Sequence, residues 1–137
     1  MSTENRIKST EATKVFKNLD FLDIGASGSN IYRSLTDIDL SEWKGKNISK
    51  AVLSLYWYYP SGKTRTNDTV IEVYRPAAYN PEYASWKNKD NEIAWTNAGG
   101  DWFDSKGVAQ GNSPYATLTI SGSKTPDNAY HELDTVS

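Results

Sequence analysis

The chain contains no cysteine and only one histidine and one methionine. Without cysteine there are no disulfides, no thiolate chemistry and no cysteine-bound zinc. One histidine cannot build a histidine-rich metal site. An excess of one charge is also missing: 15 Lys and Arg stand against 17 Asp and Glu, for a net charge of −2. That leaves no basic footprint for nucleic acid and no charged tail. Long hydrophobic runs are absent. The longest nearly apolar stretch, 51–59, is about half a membrane span and is interrupted by Ser54. The opening Met1-Ser2-Thr3-Glu4 is polar and shows no leader pattern. Aliphatic residues are scarce as well. Eight Leu, eight Ile, six Val and three Phe amount to about 18% of the chain, a level found in disordered proteins.

Aromatics fill the gap. Five Trp, nine Tyr and three Phe accompany a near-neutral charge, so large ring faces replace the missing aliphatics. A length of 137 residues suits one domain, 1–137, able to bury roughly two-thirds of its unfolded surface. Aromatic-rich and aliphatic-poor, the chain fits an antiparallel β-sandwich better than a helical bundle.

Patterning supports strands. In 47–59, Ala51, Leu53, Leu55 and Trp57 share one face, while Val52, Ser54, Tyr56 and Tyr58 share the other. In 68–75, Ile71 and Val73 alternate with Glu72 and Tyr74. In 115–121, Ala116, Leu118 and Ile120 alternate with Thr117, Thr119 and Ser121. Weaker strand patterns cover 20–24, 30–40 and 129–133. One helical turn is expected at 40–43, capped by Ser41, and another at 81–86. Turn signals at Gly25-Ala26-Ser27-Gly28, Pro60-Ser61-Gly62, Asn80-Pro81, Gly99-Gly100 and Gly111-Asn112-Ser113-Pro114 punctuate the chain.

The stretch 76–114 is weakly periodic yet holds Trp86, Trp95 and Trp102 with Tyr79, Tyr83 and Phe103. A loop this long must be pinned by its own side chains, and such loops are often functional. Trp86 reads as the internal tether and Trp57 as core. Trp95 and Trp102, set among Gly, Asn and Asp, read as solvent-facing. Sugars present C–H faces and hydroxyls, which aromatic platforms and planar hydrogen-bonding side chains complement. The expected ligand set is Trp95, Trp102 and Asp101, aided by Arg75 and Tyr58. The opposing reading makes these rings packing material.

Other chemistry has little support. Asp101 and Asp104 are a partial calcium set without the remaining EF-hand ligands, so no cofactor is expected and calcium stands only as the exception. Asp101 could equally bond its own turn. His131 has no nucleophile elbow near it and reads as a solvated or edge-strand residue. Paired carboxylates for glycoside cleavage have no sequence signature, so no enzyme is expected. Asn47-Ile48-Ser49 and Asn67-Asp68-Thr69 are glycosylation sequons if the chain is exported; Asn67, after a turn-rich stretch, reads as the better placed and Asn47, at a strand start, as the less accessible.

Several segments also resemble a known family in order. Glu4-Asn5-Arg6-Ile7-Lys8-Ser9 resembles the opening signature of the DNRLRE domain, followed by Phe21-Leu22-Asp23-Ile24-Gly25. Tyr32-Arg33-Ser34-Leu35 with Ile38-Asp39-Leu40-Ser41, then Ile48-Ser49-Lys50-Ala51-Val52-Leu53-Ser54-Leu55-Tyr56, resemble its central strands. Ser85-Trp86-Lys87-Asn88, Trp95 and Gly99-Gly100-Asp101 resemble its "TWNN…W…GGD" stretch. The fuller form is similar to the disaggregatase-related repeat of methanogen cell-surface proteins. The resemblance implies a jelly-roll-like β-sandwich in secreted or cell-surface proteins, contacting polysaccharide and often beside a depolymerising domain. Thr36-Asp37 departs from the family's more apolar pair. The family continues past the strand matched by Leu133-Asp134, whereas the chain ends at Ser137. A fragment, an edge supplied by a partner, or a differently closed sheet is therefore expected, with an open edge near Val70 or Leu118.

Together these observations predict an extracellular, non-catalytic module that binds polysaccharide by stacking and hydroxyl hydrogen bonds. The alternatives are a ligand-free structural layer and part of a polysaccharide depolymerase.

Overall fold

The computed structural model describes residues 2–57, 67–120 and 129–134. The protein is all-β. Eleven strands are present among the described residues: β1 Ser2–Lys8, β2 Gly25–Ser27, β3 Asn30–Ile38, β4 Val52–Trp57, β5 Thr69–Val73, β6 Arg75–Pro76, β7 Asn88–Asp90, β8 Ile93–Ala94, β9 Trp102–Phe103, β10 Ala116–Ile120 and β11 Ala129–Asp134. Described helix is limited to 3-10 turns at Ser9–Glu11 and Ser41–Trp43. All pairing is antiparallel, in sheets ordered β1-β3-β2, β10-β5, β11-β4, β6-β9 and β7-β8.

The expected alternation is present in three strands. Leu53, Leu55 and Trp57 turn inward on β4 while Val52, Ser54 and Tyr56 are exposed. Ile71 and Val73 on β5 and Ala116, Leu118 and Ile120 on β10 behave likewise. Leu53, Leu55, Trp57, Ile71, Leu118 and Ile120 from these sets line a cleft of about 870 Å³ together with Glu4, Thr36 and Ile38 of the β1-β3-β2 sheet. Gly28, at φ 60°, takes the first central position of the two-residue β2–β3 loop, where a side chain would be strained. Among the described residues β5 pairs only with β10, and Val70 on it is 56% exposed.

Two local expectations are corrected and one strand is added. Residues 20–24 form no strand; they line the cleft, and pairing starts only at Gly25. The opening signature is itself a strand, β1, whose buried residues Asn5 and Ile7 lie on the face opposite Glu4 and the cleft. Ser41 does not cap its turn with its side chain; its N–H instead donates to Asp39 Oδ1 at 2.9 Å. The turn after Asn80 forms as expected, with the Asn80 carbonyl accepting from Tyr83 and Ala84 and its Oδ1 accepting from the Glu82 N–H.

Buried residues divide between strand positions (Asn5, Ile7, Ile120, Leu133) and the long loop (Ala84, Ser85, Trp95, Asp104). The loop therefore carries an interior of its own, part polar and part aromatic.

Candidate functional site

Two carboxylates organise the loop. Asp101 accepts from the Thr96 N–H at 2.7 Å, the Asn97 N–H at 2.9 Å and the Asn97 amide at 2.8 Å. Burial alone would raise its pKa, but the Asn97 amide and the backbone N–H groups of Thr96 and Asn97 outweigh that and hold it below the ordinary aspartate value. Asp104, 2% exposed, accepts from Lys106 N–H at 3.0 Å, Val108 N–H at 2.9 Å and Ser113 N–H at 3.3 Å. The Val108 bond foremost, with those of Lys106 and Ser113, lowers its pKa against the opposing effect of burial. Among the described residues no group of three or more His, Asp or Glu is placed to hold a metal ion.

Trp95 is the main correction. It is 4% exposed, its Nε1 donates to the Ser85 carbonyl at 2.9 Å, and Tyr79 lies 6.1 Å from its ring. It offers no face to a ligand. The neighbouring Gly, Asn and Asp suggested solvent, but they fold onto each other: Gly99 N–H donates to the Trp86 carbonyl and Gly100 N–H to that of Asn97. These residues are spent on the turn's own bonds, while Trp95 packs with Tyr79 and Ser85.

Trp86 is half-buried and tethers as expected. Arg33 lies 5.1 Å from the Trp86 ring and 5.3 Å from the Trp102 ring, and its Nη1 donates to the Gly99 carbonyl at 2.5 Å. Burial lowers the Arg33 pKa. Trp102 is half-buried, with Nε1 bonded to the Gly111 carbonyl at 3.0 Å and Tyr74 tilted against it at 5.6 Å.

The β6–β9 pairing brings Arg75, Asp101 and Trp102 into one region without giving them a common face. Arg75 opposes Phe103, and its guanidinium sits 4.7 Å from that ring, while Pro76 opposes Trp102. Side chains alternate along a strand, so Arg75 and Trp102 point to opposite sides. Asp101 follows through its carbonyl, which accepts from Ala77 N–H, but its carboxylate is committed to Thr96 and Asn97. A shallow hollow of about 190 Å³, lined by Val73, Tyr74, Arg75 and Tyr115, lies alongside. Tyr58 lies outside the described residues.

The most exposed ring pair among the described residues is elsewhere. Tyr56 on β4 and Tyr130 on β11 are directly opposed, 48% and 70% exposed, with ring centroids 5.1 Å apart in an edge-on arrangement. Glu132 and Ser54 form the next exposed pair on that face. Sequence reasoning counted Tyr56 as a face aromatic but passed over Tyr130, because the register of 129–133 could not be read. His131 is on the edge strand, as expected, but points inward, 6.0 Å from the Trp57 ring, rather than into solvent.

The fold and this surface define an antiparallel all-β module that leaves paired aromatic side chains in solvent. No helix among the described residues is long and apolar enough to cross a membrane. A family model described as the disaggregatase-related repeat domain matches residues 4–137, and the chain belongs to that family. The family suggests a surface-associated, extracellular module. Neither a curated protein nor a solved structure matches the chain.

Proposed function

We propose that this repeat is a non-catalytic module that binds polysaccharide outside the cell, with the outer β4–β11 face as its contact surface. The exposed Tyr56–Tyr130 pair supports this reading above all. A ring 70% in solvent costs hydrophobic free energy that stacking against a sugar's C–H face recovers. Ser54 and Glu132, next on the face, supply hydroxyl and carboxylate partners for sugar hydroxyls. The hollow beside Tyr74, Arg75 and Tyr115 is a secondary contact region.

A ligand-free structural repeat is the second reading. The burial of Trp95 and the internal bonding of Trp102 favour it. Glycan-array and titration binding of the full chain separates the two. Tyr130→Ala is expected to weaken binding roughly fivefold, about 1 kcal/mol for one aromatic contact, and Tyr56→Ala by a similar factor. Undiminished binding in the double variant, or no binding to any glycan, would overturn the proposal.

A further inference from the structure

The two sequons differ in what the fold does with them. Thr69 of Asn67-Asp68-Thr69 lies in β5, half-buried and paired with Ile120. Asn67, Asp68 and Thr69 each have an interaction partner already. Asn47-Ile48-Ser49 precedes β4 by several residues rather than lying at its start. The 3-10 turn at Ser41–Trp43 ends in the Lys46 N–H to Trp43 carbonyl bond, and Gly45, at φ 78°, turns the chain there. Every residue from Ser41 to Lys50 is exposed. Among the described residues, nothing hydrogen-bonds to Asn47, Ile48 or Ser49.

We infer that Asn47 is the N-glycosylation acceptor of this chain and Asn67 is not. A glycosyltransferase must draw the tripeptide into its own cleft, with the Asn amide and the hydroxyl two residues on presented together. An exposed, unpaired segment can do that without loss of native contacts, whereas Thr69 would have to leave its sheet. In the transfer, Asn47 Nδ2 forms a C–N bond to the anomeric carbon of a polyprenyl-phosphate- or pyrophosphate-linked oligosaccharide. The bond from that carbon to the carrier's phosphate oxygen breaks, and the amide proton leaves to solvent or base. A hydrated glycan here would also shade an unusually apolar exposed stretch, in which Leu40 is 58%, Trp43 47% and Ile48 48% exposed.

The inference rests on the extracellular part of the proposed function, because only an exported chain meets the transferase. For the test, the full chain is directed through the export pathway of a host that glycosylates a co-expressed control glycoprotein. Recovered protein is mapped by intact-mass and glycopeptide mass spectrometry. A glycan mass on the Asn47 peptide is expected, abolished by Asn47→Gln or Ser49→Ala and unchanged by Asn67→Gln. An unmodified Asn47 in exported protein, or modification confined to Asn67, overturns it. Glycan-array binding of the same material, wild type against Tyr130→Ala, reports separately on the polysaccharide reading.

Discussion

Asn5 Nδ2 donates to the Pro81 carbonyl at 2.6 Å, tying the first strand to the start of the long loop. Asn5 is 2% exposed, beside fully buried Ile7, so its side chain is held away from solvent. The family-like opening signature therefore has a structural role. Replacing Asn5 by Ala removes this bond and leaves a gap beside Ile7, which should cost about 0.5–1.5 kcal/mol for the bond alone. A lower urea midpoint and faster hydrogen exchange at Ala84 and Ser85 would show it; an unchanged midpoint would refute the clamp.

Asp101 and Asp104 predict an acid limb in stability. Both have pKa values below the ordinary aspartate value, held there by N–H donors. Carboxylates shifted this way contribute stability that is complete above the unfolded value, about 3.9, and is lost as pH falls through the lower folded values. Tryptophan fluorescence should thus be constant from neutral pH to about pH 5 and change below about pH 4. Asp104→Asn should lower stability at neutral pH and flatten that acid limb.

Two glycines have no room for a methyl group. Gly99, at φ 90°, would place a Cβ 2.7 Å from Arg33 Nη1 and 2.8 Å from the Trp86 ring. At Gly111 a Cβ would collide with the Asp104 carboxylate, which three N–H groups hold in place. Gly99→Ala should destabilise by about 1–3 kcal/mol through backbone strain alone, with overlap adding to it. Gly111→Ala should disrupt the 104–113 turn. Gly45→Ala serves as a comparison, since it shares a positive φ but meets nothing within 4 Å. Thermal melts should rank Gly45→Ala as the milder of the two positive-φ substitutions.

Trp95 and Tyr130 should respond in opposite ways. Trp95→Phe removes the bond to Ser85 and part of a buried ring, so stability should fall by about 1–3 kcal/mol while binding by the folded protein is preserved. Tyr130→Ala, at 70% exposure, should leave the melting temperature nearly unchanged and weaken glycan binding. Parallel losses in both assays for both variants would contradict this division of roles.

What the sequence made legible follows from range. The β4, β5 and β10 strands were readable because Leu, Ile and Trp alternate with polar or exposed residues over five or six positions. The β1 strand was hidden because one of its inward residues is Asn5, whose partner lies far along the chain. Residues 20–24 carry Phe21, Leu22 and Ile24 but pair with no strand among the described residues, and hydropathy alone does not reveal that. At the site, Arg75 and Trp102 stand on paired strands, yet their opposite facing depends on a cross-strand register that composition does not encode. Trp95 misled because its burying partners, Tyr79 and Ser85, lie 16 and 10 residues back, while the Gly, Asn and Asp beside it bond among themselves. Tyr130 gains its meaning only opposite Tyr56.

The carboxylate-centred turns have a consequence for how the chain reaches its native state. Asp101 bonds to groups four and five residues away, and Asp104 to groups two, four and nine away. By contrast Trp57 meets Ala129 only after most of the polypeptide has been gathered in. Contacts of short sequence separation carry little loop-closure entropy and form fast, whereas distant strand pairings are slow. The segment around Gly100 is therefore expected to acquire order early in refolding, with the tyrosine-bearing β4–β11 pair assembling last.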